Sequence, residues 1–198
     1  MTASRSRYHH GDLRAAVLQQ AELTLSRSGV DGLSLRRLAR DIGVSHAAPS
    51  RHFRDKQALL DALAVSGFER LGRSINRRAS SGSFDERLRA VAHAYVHFAI
   101  ANPALLALMF SRKHDEAPGS AVAQAAAEAF ATPIALIVDG QARGDVVAGD
   151  PMRIGMTALA TFQGLVVFIG SGMIDAGATE ELLADAITHL GQGLRPRS

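Results

Sequence analysis

The chain has 198 residues, 47% of them hydrophobic and 21% charged, with no Cys and no Trp. That length and apolar content suit one or two domains with a real core. They exclude a disordered tail, a collagen-like chain and any fold held by disulfides or thiolate metal sites. The net charge of +3 is unevenly spread: residues 1–78 carry 14 Lys/Arg against 7 Asp/Glu, whereas residues 79–198 carry 8 against 12. A basic first third suits a polyanionic partner.

Abundant Ala and only 6 Pro favour an all-α fold. Met1 to Arg14 is polar and basic without an apolar run behind it, so no secretory signal is expected and a cytoplasmic setting is. Asp12 is placed to cap a helix through about Arg27. Leu13, Val17, Ala21 and Leu25 lie on one face of it, and Ser28-Gly29 ends it. Ser34 is placed to cap a short helix from Leu35 to Ile42. Leu35, Leu38, Ala39 and Ile42 would face inward, Arg36, Arg37 and Arg40 outward, with Gly43 as the stop. Ser45 is placed to cap a third helix, His46 to about Phe53. Pro49 complicates it: as a fourth helical residue it loosens the start, and nearer the beginning it is tolerated. Asp55 opens a long fourth helix, Lys56 to about Arg78, with Leu59, Leu60, Leu63, Phe68, Leu71 and Ile75 as its apolar stripe.

Ser80-Ser81-Gly82-Ser83 marks a boundary between a domain at 8–70 and one at 79–198. Helices are expected at Asp85–Ala101, Pro103–Phe110 and Ser120–Ala142, the last kinked at Pro133, with a polar loop from Ser111 to Gly119. Asp150-Pro151 then opens a helix, about Pro151–Gly170, that runs into 21 residues without a charge, from Ile154 to Ile174. Eight of those 21 are Gly, Ser, Thr or Gln, so the stretch reads as a subunit interface, not as a membrane span. Small residues Ala158, Thr161 and Gly164 would allow close approach there, with Phe162, Val166 and Ile169 filling the gaps. Thr179 is placed to cap a last helix, Glu180 to about Leu190.

Residues 34–53, SLRRLARDIGVSHAAPSRHF, therefore read as two short helices about a Gly-containing turn, the helix-turn-helix pattern. The second helix of such a pair fits the DNA major groove, and the first crosses the backbone. The expected DNA-binding residues are Ser34, Arg36, Arg37, Arg40, Ser45, His46, Ala47, Ser50, Arg51, His52 and Lys56.

The ordered run Tyr8-His9-His10-Gly11-Asp12-Leu13-Arg14, Gly32 to Ala39, Gly43-Val44-Ser45 and Arg51 to Leu60 resembles the DNA-binding head of the TetR/AcrR regulators. His-His-Gly and Ala47-Ala48-Pro49 are similar to the branch whose C-terminal domain carries a Trp-His-Gly signature. The chain departs from that branch in lacking Trp and in having Gln163-Gly164 where His-Gly is expected. Ser50 stands where the family usually has Tyr, which removes an aromatic phosphate contact. The resemblance implies a homodimer with a helical effector-binding domain, a palindromic double-stranded operator, and repression relieved by a small molecule.

In the second domain His93, Tyr95, His97, Phe98, Phe110, Phe130, Phe162 and Gln163 are the expected ligand-binding residues, with Met109 and Met156 as further apolar candidates. His93 and His97 have i,i+4 chelating spacing. No Glu lies between them, however, and no third ligand is identifiable by spacing, so no metal or other cofactor is expected. No nucleophile, base and orienter occur together, and no Gly-rich phosphate loop is present, so an enzyme is not expected. The alternative is a helical ligand- or metal-binding dimer with weak or lost operator binding.

Overall fold

The computed structural model describes residues 10–115 and 120–196. Tyr8 and His9 lie outside them. Eight α-helices and two short 3₁₀ turns make up the regular structure, with no strand among the described residues. The helices are α1 (His10–Ser28), α2 (Leu35–Asp41), α3 (Lys56–Arg78), α4 (Phe84–Ala101), α5 (Pro103–Asp115), α6 (Ala121–Arg143), α7 (Pro151–Gly170) and α8 (Thr179–Leu194). Among the described residues, those up to Gly67 form one compact unit with those of 104–122, and Phe68–Pro103 forms a second with those from Ala123 on.

In the first unit the expected faces are buried. Val17, Ala21 and Leu25 of α1 meet Leu38 and Ala39 of α2, with Phe53, Leu59 and Leu63 completing the core. Each such Leu, Val or Phe contributes about 1.5–3 kcal/mol on leaving water. The Asp55 carboxylate caps α3 by accepting from the Ala58 N–H at 2.7 Å. Arg112 of α5 is only 5% exposed. It donates to the Asp61 carboxylate of α3 through Nε at 2.7 Å and Nη2 at 2.6 Å. A guanidinium is tolerated at that depth because two of its N–H groups converge on one carboxylate oxygen, Asp61 Oδ1.

The second half of α3 supplies Phe68, Leu71 and Ile75 to the core of the second unit. Phe68 meets Phe130 of α6 edge to face, with centroids 6.4 Å apart. Gly72 lets the two backbones approach: a Cβ there would sit 3.1 Å from the Ala129 Cα. Ser83 and Glu86 form a reciprocal capping box at the start of α4. Its bonds from the Ser83 backbone and hydroxyl hold the Glu86 carboxyl below the ordinary range. Asp150 caps α7 as expected, accepting from the Met152 N–H at 2.9 Å.

Several boundaries differ from the sequence expectations. α1 begins at His10, so Asp12 lies inside it, not at its cap. α5 runs on to Asp115 through the expected polar loop, because Ser111, Arg112 and Lys113 are tolerated inside a helix. α6 is assigned as one helix across Pro133. Thr179 is buried inside α8, Ala178 holds the cap position without a side-chain bond, and the helix continues to Leu194.

α6 and α7 are each long and apolar enough to cross a membrane by length and composition. Only 11% of the most apolar window of α7 is buried within the chain. Its packed side is Phe162, Leu165 and Val166, while Met152, Met156, Val167 and Phe168 are each about half exposed or more. Phe162 and Val166 are thus core residues, unlike the interface role expected for them, because α7 packs that stripe onto its neighbours α4 and α8.

The Asp61–Arg112 pair yields a stability prediction. Asp61→Ala removes one carboxylate partner of a buried guanidinium and should destabilise the protein in urea unfolding, by no more than about 3–5 kcal/mol. The volume-filling double variant Asp61→Leu/Arg112→Met should recover most of that loss. Equal stability of Asp61→Ala and wild type would show that the pair contributes nothing.

Candidate functional site

The turn after α2 orients everything that follows it. Gly43 has φ of +73°, and adding a Cβ would meet nothing within 4 Å, so glycine is required there by backbone geometry, not by space. The Val44 N–H donates to the Ala39 carbonyl at 2.9 Å and the Gly43 N–H to the Arg40 carbonyl at 3.1 Å. These are the two bonds of a Schellman helix stop. At the other end of α2, Ser34 holds the cap position in extended conformation, but its side chain makes no capping bond. Its hydroxyl is left facing outward beside the arginines.

The segment expected as a third α-helix, His46 to Phe53, is not one. Residues 46–48 form a turn and Pro49–Arg51 a 3₁₀ helix. Pro49 has no N–H to give to the Ser45 carbonyl, which accepts instead from Ala48 at 3.0 Å, a three-residue bond. His52 and Phe53 both donate to the Pro49 carbonyl at 3.0 Å. Pro49 therefore sits at the start of the helical turn, and Ser45 precedes a tight turn where a helix cap was expected. Pro49 and Phe53 are buried. Arg14 of α1 lies over the Phe53 ring, 5.5 Å from its centroid, and fixes that end of the segment.

Anchored by those two side chains, the segment turns Ser45, His46, Ala47, Ser50 and Arg51 to solvent. His52 is half-buried with its Nε2 shielded, so it is the least available of the expected contacts. Ser34, Arg36, Arg37, Arg40 and His46 converge around one open depression of about 360 Å³. Arg37 and Arg40 pair loosely with Asp41 at 3.8 and 3.7 Å, and both are half exposed or more. Exposed pairs of that kind are worth less than about 1 kcal/mol and yield readily to a stronger anion. Lys56, half-buried, is the first residue of α3. There the helix dipole adds to its charge.

The candidate ligand residues are distributed differently. Phe110 belongs to the first unit, whereas His93, Tyr95, His97, Phe98, Phe130, Phe162 and Gln163 belong to the second. Tyr95 is buried and donates its hydroxyl to the Gln163 side-chain oxygen. Burial pushes its phenol well above the ordinary value, so it stays a donor. Phe162 is fully packed, Phe98 lies under the Arg70 guanidinium at 5.7 Å, and Met156 projects into solvent. Met109 fills the first unit's core against Gly67.

His93 and His97 meet a residue that spacing did not reveal. Glu180, in the first turn of α8, brings Oε1 to 3.2 Å from His97 Nε2 and Oε2 to 3.7 Å from His93 Nδ1. Burial lowers the His93 pKa, opposed by Glu180 and aided by His97 and Arg89. Glu180 had one legible signal, an acidic first turn, and that has an ordinary helix-dipole explanation.

Residues 17–63 match the family described as bacterial regulatory proteins, tetR family. Residues 88–190 match the tetracyclin repressor-like C-terminal domain. A solved structure of a protein with unknown function from Rhodococcus sp. RHA1 is 45% identical and superposes with a TM-score of 0.89, covering 97% of this chain and 100% of that one. The HTH-type transcriptional regulator Mb1846 of Mycobacterium bovis is 28% identical over 150 residues, covering 71% of this chain and 64% of that regulator. The class A tetracycline repressor from Escherichia coli transposon 1721 is 52% identical over 48 residues, covering 24% of this chain and 22% of that repressor. The chain thus spans less than two thirds of the length of these two curated relatives.

The turn is testable by itself. Gly43→Ala puts a side chain at positive φ and should destabilise the protein by about 1–2 kcal/mol. Gly43→Asn should cost clearly less, since Asn tolerates that conformation. Equal urea midpoints for Gly43→Ala and wild type would contradict the assigned turn.

Proposed function

Because the chain belongs to the tetR family of bacterial regulatory proteins and is a transcriptional regulator of that family, we propose that it works as a homodimeric repressor. In this reading it holds a palindromic operator in the cytoplasm and releases it when a small-molecule effector binds. One observation carries the DNA-binding part. Ser34, Arg36, Arg37, Arg40 and His46 converge beside an exposed edge bearing Ala47, Ser50 and Arg51.

Each part of that surface suits a different part of a duplex. Arg36, Arg37, Arg40 and Lys56, with the Ser34 and Ser45 hydroxyls, are placed for phosphates, which position a protein without reading sequence. His46, Ala47, Ser50 and Arg51 are placed for base edges, Arg51 being suited to guanine and the Ala47 methyl to thymine. Ser50 leaves a shorter reach than a Tyr would, so more of the affinity falls to the arginines.

The exposed apolar side of α7 supports dimerisation. Thr157, Thr161, Gly164 and Phe168 follow helical spacing along it, flanked by Met156 and Val167. A two-fold axis would lay this stripe against its own copy, with small residues letting the backbones approach. Two heads related this way read successive major grooves only about 34–36 Å apart, or a multiple of that, which requires a palindromic operator. An exposed apolar stripe of this length suits an interaction site.

The effector is assigned to the second unit, among Tyr95, Phe98, Phe130, Phe162 and Gln163. α3 carries residues of both units on one continuous helix. A ligand that favours the DNA-free conformation can therefore act on the head through it.

Binding of a candidate operator, measured against salt, tests the DNA surface. Arg36→Ala and Lys56→Ala should each weaken binding to all sequences and lower the log–log salt slope by about 0.9. Unchanged slopes in both variants would remove those residues from the interface. Assembly is tested by sedimentation. Wild type should be a dimer at micromolar concentration, and Phe168→Arg should yield monomer while Phe162 and the core stay intact. A wild-type monomer would overturn the α7 interface.

A further inference from the structure

We propose that His93, His97 and Glu180 form a binding site for a divalent transition-metal ion that links α4 to the first turn of α8. Each residue offers one ligand atom, and the three atoms lie within 4.8 Å of one another. The two imidazole nitrogens are 3.5 Å apart, His97 Nε2 lies 3.2 Å from Glu180 Oε1, and His93 Nδ1 lies 3.7 Å from Glu180 Oε2. Three ligands at about 2.0–2.1 Å around a tetrahedral zinc ion are separated by roughly 3.3–3.4 Å. The cluster is therefore close to that size, and side-chain rotation that brings one carboxylate oxygen to both imidazoles completes it.

The chemistry of the set narrows the ion. Two imidazoles and a carboxylate, with no thiolate anywhere in the chain, suit Zn²⁺, Co²⁺ or Ni²⁺. They do not suit Ca²⁺ or Mg²⁺, which call for oxygen ligands. His97 and Glu180 are exposed and His93 half-buried, so an ion can enter and a fourth coordination position stays open. That position takes water or an anionic group of a small molecule. Sequence order brings the first two ligands together on one helix face, and only the packing of α8 on α4 supplies the third.

The site also explains why two imidazoles stack with their rings 5.6 Å apart beside one carboxylate on this surface. Without an ion, Glu180 accepts from whichever imidazole carries a proton towards it. With an ion, all three lone pairs converge on one centre, and α8 is held to α4 more firmly than by an exposed ion pair.

The test uses the full chain carrying His9→Ala and His10→Ala, which removes the adjacent His pair near the start of the chain. Calorimetric titration with Zn²⁺ should give one ion per chain, and Co²⁺ should give visible absorption bands of tetrahedral intensity. His97→Ala and Glu180→Gln should each weaken Zn²⁺ binding at least about tenfold. Both residues are exposed, so the metal-free thermal midpoint should not change. Saturating Zn²⁺ should raise that midpoint in the parent chain and not in the variants. Uptake that is as tight in both variants as in the parent would overturn the site, and so would an absence of stoichiometric uptake. Neither readout involves DNA, so the outcome is separate from that of the operator proposal.

Discussion

One unbroken apolar stripe, along the 23 residues of α3, underlies both halves of the molecule. Leu59 and Leu63 close the core of the first unit, and Phe68, Leu71 and Ile75 that of the second. Neither unit has a complete core without its share of this helix. The close approach at Gly72 and the Asp61–Arg112 bonds fix α3 further to α6 and α5. The regulation proposed above acts through this helix, whose residues belong to both units.

The presented surface of the first unit follows from two backbone constraints of opposite kind. Gly43 permits a conformation that other residues resist, and Pro49 forbids a bond that other residues would make. Between them they convert what would have been a regular helix into a turn and a single 3₁₀ stretch, with Pro49 and Phe53 as inward anchors. A 3₁₀ segment presents fewer side chains per length to a groove than an α-helix does. In the proposed reading, base contacts fall to His46, Ala47, Ser50 and Arg51 along this edge, and phosphate contacts to the arginines of α2. Asp41 pairs with Arg37 and Arg40 only loosely, at 3.8 and 3.7 Å, so both guanidinium groups stay open to another anion.

The second unit combines a packed side and an unpacked one on the same helices. α7 is satisfied on α4 and α8 through Phe162, Leu165 and Val166, and the Tyr95–Gln163 bond settles the polar groups of that seam. Its other side keeps Met152, Met156, Val167 and Phe168 in water at a cost that a partner surface would remove. The His93–His97–Glu180 cluster lies where the first turn of α8 packs on α4, with Arg89 near His93.

The sequence by itself determined the helices and their inward faces. The spacing of Val17, Ala21 and Leu25, of Leu38 and Ala39, and of Leu59 to Ile75 is local and repeats with the helical period, so burial could be read residue by residue. It also determined the basic surface of the head, because Arg36, Arg37 and Arg40 fall opposite those buried positions. Tertiary structure decided what depends on residues far apart in the chain. It buried Phe162 and Val166 and exposed Phe168, since all three lie in one uncharged stretch and only the neighbouring helices choose the packed side. It settled Tyr95 on Gln163, and it carried Glu180 to His93 and His97. Helical periodicity relates residues within a few turns of each other, and a partner supplied by another helix leaves no mark in that period.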